Sequence, residues 1–394
     1  MKKFLAAALI VSSIFVMPTS RAEIKTYEGT DEYIMSEFET IDIAKQRAKQ
    51  KAERAAQEKA GVYISSYTET KNLMLVKDEV VAIACGIISV TDVHYDVTPL
   101  ENANGFLIRA TVKANIDTDD VNKYLDKSTQ EKSAIVIQNK ELQAAVAAQD
   151  EQISKLKDQI KRLTAEGKLS GQREREQITQ EVAAEDKIFQ SNLKLEEAQK
   201  NFYNRNYEAS IKLCDEAIKL NPNSARAYGG RGGAYGVLNQ PQQTIADCTK
   251  AIELDPNYAQ AYNNRGAAYG NLRNFQQALN DFNKAIELDP TLALAYNNRG
   301  GTLLFLGNGA QAFADFNKAI ELEPKLDLAY ANRGLYYFSM KNFSSAVADL
   351  DKAIELNPKL AAAYHFRGMS YQSMGQFAKA QADFAKAKEL GYKG

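Results

Sequence analysis

The chain has 394 residues, of which 45% are hydrophobic and 25% charged, and its 49 basic side chains nearly balance its 50 acidic ones. This balance excludes the basic stripe that nucleic-acid binding needs. The sequence has two histidines and no nucleophile elbow, phosphate loop or metal-ligand motif, so we predict a protein that is not an enzyme and binds no cofactor or metal.

The first 22 residues have the pattern of a secretory signal peptide. Lys2 and Lys3 precede an apolar run from Phe4 to Met17, and Ser20 and Ala22 are small residues suited to cleavage. An apolar run of 14 residues is too short to span a bilayer, so the mature chain is predicted to have no transmembrane segment. We expect an exported protein of the periplasm or cell envelope of a bacterium.

Residues 23–127 are predicted to form a small α+β domain. An alanine stripe at helical spacing predicts a helix from Ile43 to Ala60 that Gly61 ends. Val62 to Thr68 then has the composition of a strand, and Lys77 to Ala84 that of a short helix. Strict alternation of apolar and polar residues from Phe106 to Ile116 predicts the second strand of a hairpin.

The first strand of that hairpin carries Asp92, His94 and Asp96 on one face. Residues two apart on a strand lie about 6.6 Å apart, too far for all three side chains to bind one ion without bending the strand. The sequence shows no fourth ligand, so we predict a solvated face and not a metal site.

The helix sequence A-K-Q-R-A-K-Q-K-A-E-R-A-A-Q-E-K-A-G-V-Y-I, which starts at Ala44, is followed by two long strands. This arrangement resembles the N-terminal domain of the flagellar assembly protein T family over about 80 residues. The resemblance implies a role in a cell-envelope assembly, and it carries over no enzymatic activity and no functional residue.

Residues 128–166 carry a heptad pattern that is typical of a coiled coil. The two core positions hold Asn139, Val146, Ile153 and Ile160, and Ile135, Leu142, Gln149, Leu156 and Leu163. β-Branched residues with a single asparagine at the first position, and mostly leucine at the second, favour a parallel homodimer through residues 135–163, with a trimer as the alternative. Residues 167–188 are predicted to be a helical linker.

From residue 189 to 394 the sequence repeats every 34 residues. Prolines mark the period at positions 222, 256, 290, 324 and 358, and each follows a run such as K-A-I-E-L-D-P. Two short helical patterns and a proline per copy resemble the tetratricopeptide repeat, which Ala259 to Pro290 follows closely. The resemblance implies a mostly α fold, an α-solenoid of six helix pairs preceded by the α+β domain and the coiled coil. The six copies are 189–222, 223–256, 257–290, 291–324, 325–358 and 359–392.

The second helix of the last copy departs from the pattern. Positions that hold Val347 and Ile354 in the fifth copy hold Gln381 and Lys388 in the sixth. Because polar residues suit a face that no further copy covers, we expect the array to end there.

Five copies share an arginine in the first helix and an aspartate sixteen residues later, and the first copy lacks both. This shared occurrence predicts an ion pair between the two helices of each repeat, because partly buried charge is costly unless it is paired. The alternative is a row of arginines that grips an anionic ligand. The predicted pairs are Arg231 with Asp247, Arg265 with Asp281, Arg299 with Asp315, Arg333 with Asp349, and Arg367 with Asp383.

The resemblance to tetratricopeptide repeats also implies a concave groove, which the residues two before the first-helix glycine would face. The side-chain amides of a row of asparagines there can pair with the backbone of an extended peptide, and apolar neighbours would add affinity. The alternative is that these asparagines are simply tolerated at exposed positions. The predicted groove residues are Asn264, Asn298, Asn332, Asn263, Asn297, Leu304, Phe305, Leu328, Leu335, Phe338, Phe366 and Met369.

Together these patterns predict an exported scaffold that binds an internal, extended and partly apolar segment of an envelope protein. The alternative from another class is a structural component of an envelope or flagellar-type assembly whose contacts are made by the N-terminal domain. A pull-down with the repeats alone separates the two.

Overall fold

The computed structural model describes residues 24–70, 77–100, 105–125, 151–163 and 172–392, together with positions 75, 136, 144 and 147–149. The predicted signal peptide lies outside the described residues, as does most of the predicted coiled coil before residue 151. Among the helices of the described part, none has a stretch long and apolar enough to cross a membrane.

The N-terminal domain is a three-stranded antiparallel sheet covered by helices. Its strands are β1 (Ile24–Met35), β2 (Ser89–Pro99) and β3 (Phe106–Asp117), in the order β1-β3-β2. Its helices are α1 (Ile41–Thr70), α2 (Lys77–Ile87) and α3 (Thr118–Leu125). The predicted alternation in β3 is confirmed, because every second residue from Ile108 to Ile116 is fully buried.

The alanine stripe of α1 lies against this sheet, and the fit is close. A side chain at Gly29 of β1 would come within 2.0 Å of the backbone oxygen of Ala52 and 2.5 Å of the backbone nitrogen of Ala56. Only a strand residue without a side chain and helix residues with a single methyl group allow this approach.

Two local predictions in this domain are wrong or incomplete. Residues 62–68 are helical and not a strand, because α1 continues through Gly61 to Thr70 and keeps Ala60 and Ile64 in the buried stripe. Packing on the sheet overrides the strand preference of the local residues. Strand β1 was not predicted, since its side chains are mostly exposed and show no apolar alternation.

The described end of the predicted coiled coil is a helix, α4 (151–163), which folds back on α5 (Gln172–Tyr203). Ile160 and Leu163 pack against buried Ile178 and Val182 of α5, and Asn192 donates a hydrogen bond to Gln149. The described part of the heptad seam therefore contacts a helix of the same chain, and a homo-oligomer through residues 135–163 would have to displace α5 there.

Polar contacts join the N-terminal domain to α5. Arg47 of α1 is buried and pairs with Glu39, and its second terminal nitrogen lies 2.9 Å from Asp186 of α5. Three turns further along α5, Glu196 accepts a hydrogen bond of 2.9 Å from the side chain of Gln50 of α1. The charges of Arg47, Glu39 and Asp186 compensate one another, as low-dielectric surroundings require.

Eleven further helices follow α5 within residues 207–389 and pack as consecutive antiparallel pairs, the C-terminal half of α5 serving as the first member of the first pair. A small residue in each first helix admits the second helix; a side chain at Gly266, for example, would come within 2.8 Å of the Phe282 ring. The helices are α6 (Tyr207–Leu220), α7 (Ala225–Val237), α8 (Pro241–Leu254), α9 (Ala259–Asn271), α10 (Phe275–Leu288), α11 (Ala293–Phe305), α12 (Gly309–Leu322), α13 (Asp327–Ser339), α14 (Phe343–Leu356), α15 (Ala361–Ser373) and α16 (Phe377–Glu389).

Candidate functional site

Each arginine of the repeated pattern lies against the aspartate sixteen residues later. The guanidinium donates two parallel hydrogen bonds, from Nε and Nη2, to the two carboxylate oxygens at 2.6 to 2.8 Å in all five repeats. The arginines are 17 to 23% exposed and the aspartates 8 to 11%. These hydrogen bonds raise the pKa of each arginine, which stays charged.

The same arginines also reach back to the preceding repeat, a contact that the sequence pattern does not predict. The third nitrogen, Nη1, donates to the residue sixteen positions earlier, such as Thr249 for Arg265 and Asn283 for Arg299, at 3.1 and 2.8 Å. Each guanidinium lies over a tyrosine ring, with 5.4 to 5.6 Å from Cζ to the ring centroid. Because all three nitrogens already donate and the aspartate offsets the charge, these arginines hold neighbouring helix pairs together and are poorly suited to bind a separate anion.

The predicted asparagines form a network that crosses from one repeat to the next. Asn298 donates to the side-chain oxygen of Asn263 at 3.0 Å, and Asn332 donates to that of Asn297 at 2.9 Å. Asn263 and Asn297 are buried, so they lie behind the surface and orient the second asparagine of each pair. Because an amide nitrogen carries two hydrogens and uses one here, Asn298 and Asn332 each keep one N–H for a ligand.

An open depression of about 370 Å³ lies over these amides, between the third and fifth repeats. We call it the central groove. Its floor is open at Gly270 and Gly301, where an added Cβ atom would meet nothing within 4 Å. It is lined by Ala267, Gly270, Asn271, Arg273, Phe275, Phe282, Asn297, Asn298, Gly301, Thr302, Phe305 and Asn332.

Four of the predicted groove residues therefore line the depression, namely Asn297, Asn298, Phe305 and Asn332. Asn264 accepts from Gln260 at 2.9 Å and lies one repeat before them. Leu304, Leu328, Leu335, Phe338, Phe366 and Met369 are all half-buried, and Phe338 and Phe366 pack beside the core of the fifth repeat. The position of Gly301 is occupied by Leu335 and Met369 in the next two repeats, so bulky side chains replace the open floor there.

Arg273 and Phe275 are groove residues that were not predicted from the sequence. Both belong to the turn and helix start of the third repeat, and family resemblance assigns the groove to first-helix positions only. The turn position that holds Arg273 varies between copies, with Gly307 in the next repeat and Lys341 in the one after, so the 34-residue period gives no signal for it.

A larger cavity of about 910 Å³ lies between α1, α2 and α5. Its charged lining residues are three acids and three bases, so it favours neither an anion nor a cation. Burial raises the pKa of one of the acids, Glu196. The charged residues are Glu53, Glu58, Glu196, Arg54, Lys77 and Lys200.

The exposed face of β2 holds Asp92, His94 and Asp96, as the alternation predicts. His94 lies 3.3 Å from Asp96, and Asp92 and Asp96 face Lys113 and Arg109 across the sheet. In the part of the chain that the structure describes, no group of three or more histidine, cysteine or acidic residues is placed to hold a metal ion.

Family comparison identifies five of the helix pairs. One tetratricopeptide repeat model matches residues 225–258, 259–292 and 328–360, and a second matches residues 293–326 and 361–390. Four of these ranges begin with the first residue of α7, α9, α11 or α15. The predicted first copy, 189–222, lies outside the matched ranges, although α5 and α6 pack as the other pairs do.

Several solved structures are similar to part of the chain, and no curated protein matches it. The APC/C hetero-tetramer Cut9-Hcn1 is 16% identical, with a TM-score of 0.48, over 51% of this chain and only 40% of that one. PilF of Pseudomonas aeruginosa is 16% identical over 52% of this chain and 93% of that one, with a TM-score of 0.45. YrrB, described as having an unusual peptide-binding site, is 23% identical over 46% and 93%, with a TM-score of 0.35.

Proposed function

Because residues 225–390 are a run of tetratricopeptide repeats, we propose that this protein is a scaffold that holds an extended segment of a partner protein in its central groove. The observation that carries the proposal is the pair of oriented amides of Asn298 and Asn332 beside an open floor. The arginine row has a structural role in this proposal, since each arginine already holds an aspartate.

The spacing of the amides suits a peptide in extended conformation. Packed helices of neighbouring repeats lie roughly 9 to 10 Å apart, and an extended chain advances about 3.3 Å per residue. One amide per repeat therefore meets the peptide backbone at about every third residue. Backbone pairing does not depend on the side chains of the partner, whereas the exposed ring of Phe305 adds an apolar contact that does.

The partner in this proposal is a protein of the bacterial cell envelope. The support is the signal-peptide pattern of residues 1–22, with its two lysines, apolar run and small residues. The proposed role is binding alone, so it requires no cofactor and no catalytic group of this chain.

A single substitution can close the groove without disturbing the fold. At Gly301 an added Cβ atom meets nothing within 4 Å, so Gly301→Leu starts from open space, and leucine is more favourable than glycine in a helix by about 1 kcal/mol. Gly301→Ala gives the matched control, because it stabilises the helix in the same way and leaves the floor open. Affinity capture with the intact chain from an envelope extract, followed by calorimetry with the purified partner, gives the measurement.

We expect Gly301→Leu to weaken partner binding by about tenfold or more, while Gly301→Ala binds within about twofold of the unaltered protein. Equal binding by both variants would remove the central groove from the mechanism. Capture that depends only on residues 24–125 would instead favour the structural role of the N-terminal domain.

A further inference from the structure

Arg273 differs from the arginines of the repeated pattern. Arg265 and Arg299 each hold an aspartate of their own repeat, whereas Arg273 makes no ion pair within the described residues. It is exposed at the edge of the central groove, in the turn between α9 and α10. Its backbone is in the left-handed region, with φ of 61°, where the next repeat has Gly307. The groove thus has one cation whose charge no neighbouring carboxylate offsets.

An exposed aromatic surface lies beside this cation. Phe305 is 63% exposed, and its ring centroid lies 4.6 Å from that of Phe275. The guanidinium carbon of Arg273 lies 5.9 Å from the centroid of the Phe305 ring. A phenylalanine held by a second ring and left open to solvent offers a flat contact for a planar or apolar side chain.

The charge of the groove points to the chemistry of the ligand. No aspartate or glutamate is among its lining residues, so its only formal charge is that of Arg273. The other polar lining groups are the side chains of Asn271, Asn297, Asn298, Thr302 and Asn332, all of which are neutral. An acidic side chain is the complement of such a surface, because it meets one cation and no competing anion.

We propose that the central groove selects partner segments in which an acidic side chain stands two residues from an aromatic one, the carboxylate pairing with Arg273 and the aromatic ring lying on Phe305. This inference rests on the proposed function and adds the specificity of the same groove. In an extended segment, side chains two residues apart share a face and lie about 6.6 Å apart, which matches the 5.9 Å between Arg273 and Phe305. The partner is a second protein with an internal acidic residue.

The selection of peptides from a random library tests this motif directly. Twelve-residue peptides are displayed on phage through their C-terminal ends, so that no free terminal carboxylate is present and any selected acid is a side chain. The intact protein, R273E, F305A, K341E and G301L are each used as the target. Lys341 is the matched control, because it is an exposed cation at the same turn position two repeats later, with φ of 59°.

We expect the unaltered protein and K341E to select peptides in which one residue separates an acidic from an aromatic residue, in either order. We expect R273E to select peptides with lysine or arginine in place of the acidic residue. G301L should select no groove peptides. In fluorescence anisotropy with a synthetic peptide of the selected sequence, R273E should weaken binding by about tenfold and K341E by less than about twofold. F305A should lose the aromatic preference and keep the acidic one.

Two kinds of result would overturn the inference, and they differ in whether the proposed function also falls. If the selected peptides bind the unaltered protein but not G301L and carry no acidic residue, the motif is contradicted and the proposed groove stays intact. The same holds if R273E selects peptides with the same acidic residue. Peptides that bind G301L as well as the unaltered protein, or the absence of any selected peptide, contradict the proposed function and the motif with it.

Discussion

Arg265 shows what one side chain contributes to the repeat array. It holds both oxygens of Asp281 at 2.8 Å, reaches Thr249 of the preceding repeat at 3.1 Å, and lies over Tyr262. The sixteen-residue spacing in the sequence predicts the first contact. It does not predict the second, because Asp215, Thr249, Asn283, Asn317 and Asp351 share only a polar character and not a residue type.

We predict that Asp281→Ala destabilises the array by about 2 to 3 kcal/mol, since it strands a largely buried guanidinium. Lys284→Ala is the control on the same helix, because Lys284 and Glu287 form an exposed pair whose loss costs under about 1 kcal/mol. Replacing Arg265 and Asp281 together by leucine should recover most of the loss. Urea denaturation gives the comparison, and equal midpoints for Asp281→Ala and Lys284→Ala would show that the pair adds little.

Helices and strands were predicted best where their apolar pattern was long and regular. The repeat helices follow from the 34-residue period, and the buried face of β3 follows from its alternation. The strand predicted at residues 62–68 fails because Ile64 belongs by its spacing to the alanine stripe, a tertiary contact that local composition does not show. In the groove, the asparagine positions follow from the repeat, whereas Arg273 enters from a turn whose residue varies between copies.

The heptad seam of residues 135–163 leads to opposite expectations from sequence and contacts. Its residue types favour a parallel dimer, yet Ile160 and Leu163 pack on α5 of the same chain. We expect a monomer, because α5 is part of the same chain and contacts the described part of the seam without the entropy cost of association. Sedimentation of the chain without residues 1–22 at micromolar concentration checks this. A dimer would mean that α4 leaves α5, and then Val182→Asn should leave the dimer unaffected.

Across the whole molecule, the repeat array is stabilised by contacts between neighbours, so each outward face needs a cover. At one end, α4 and the N-terminal domain pack on α5. Further along, the second helix of one repeat is covered by the first helix of the next, as when Phe313 stacks on Tyr336 with ring centroids 5.0 Å apart. The sixth repeat covers α14 in this way and exposes Gln381 and Lys388 on its own second helix.

From this arrangement we predict that V347Q with I354K improves a chain shortened after residue 359 and destabilises the full chain. A chain shortened after residue 359 loses the cover of Ile354, which packs beside the buried Ala363, and it uncovers Val347 at the position of Phe313. We expect the shortened chain to self-associate, and V347Q with I354K to restore a monomer, because these changes copy Gln381 and Lys388. In the full chain the same two substitutions bury polar groups against the sixth repeat and should lower the free energy of unfolding by about 2 to 4 kcal/mol. Sedimentation and thermal melting of the full and the shortened chain, each with and without the two substitutions, give the measurement. A gain of stability in the substituted full chain would contradict the covering role of the sixth repeat.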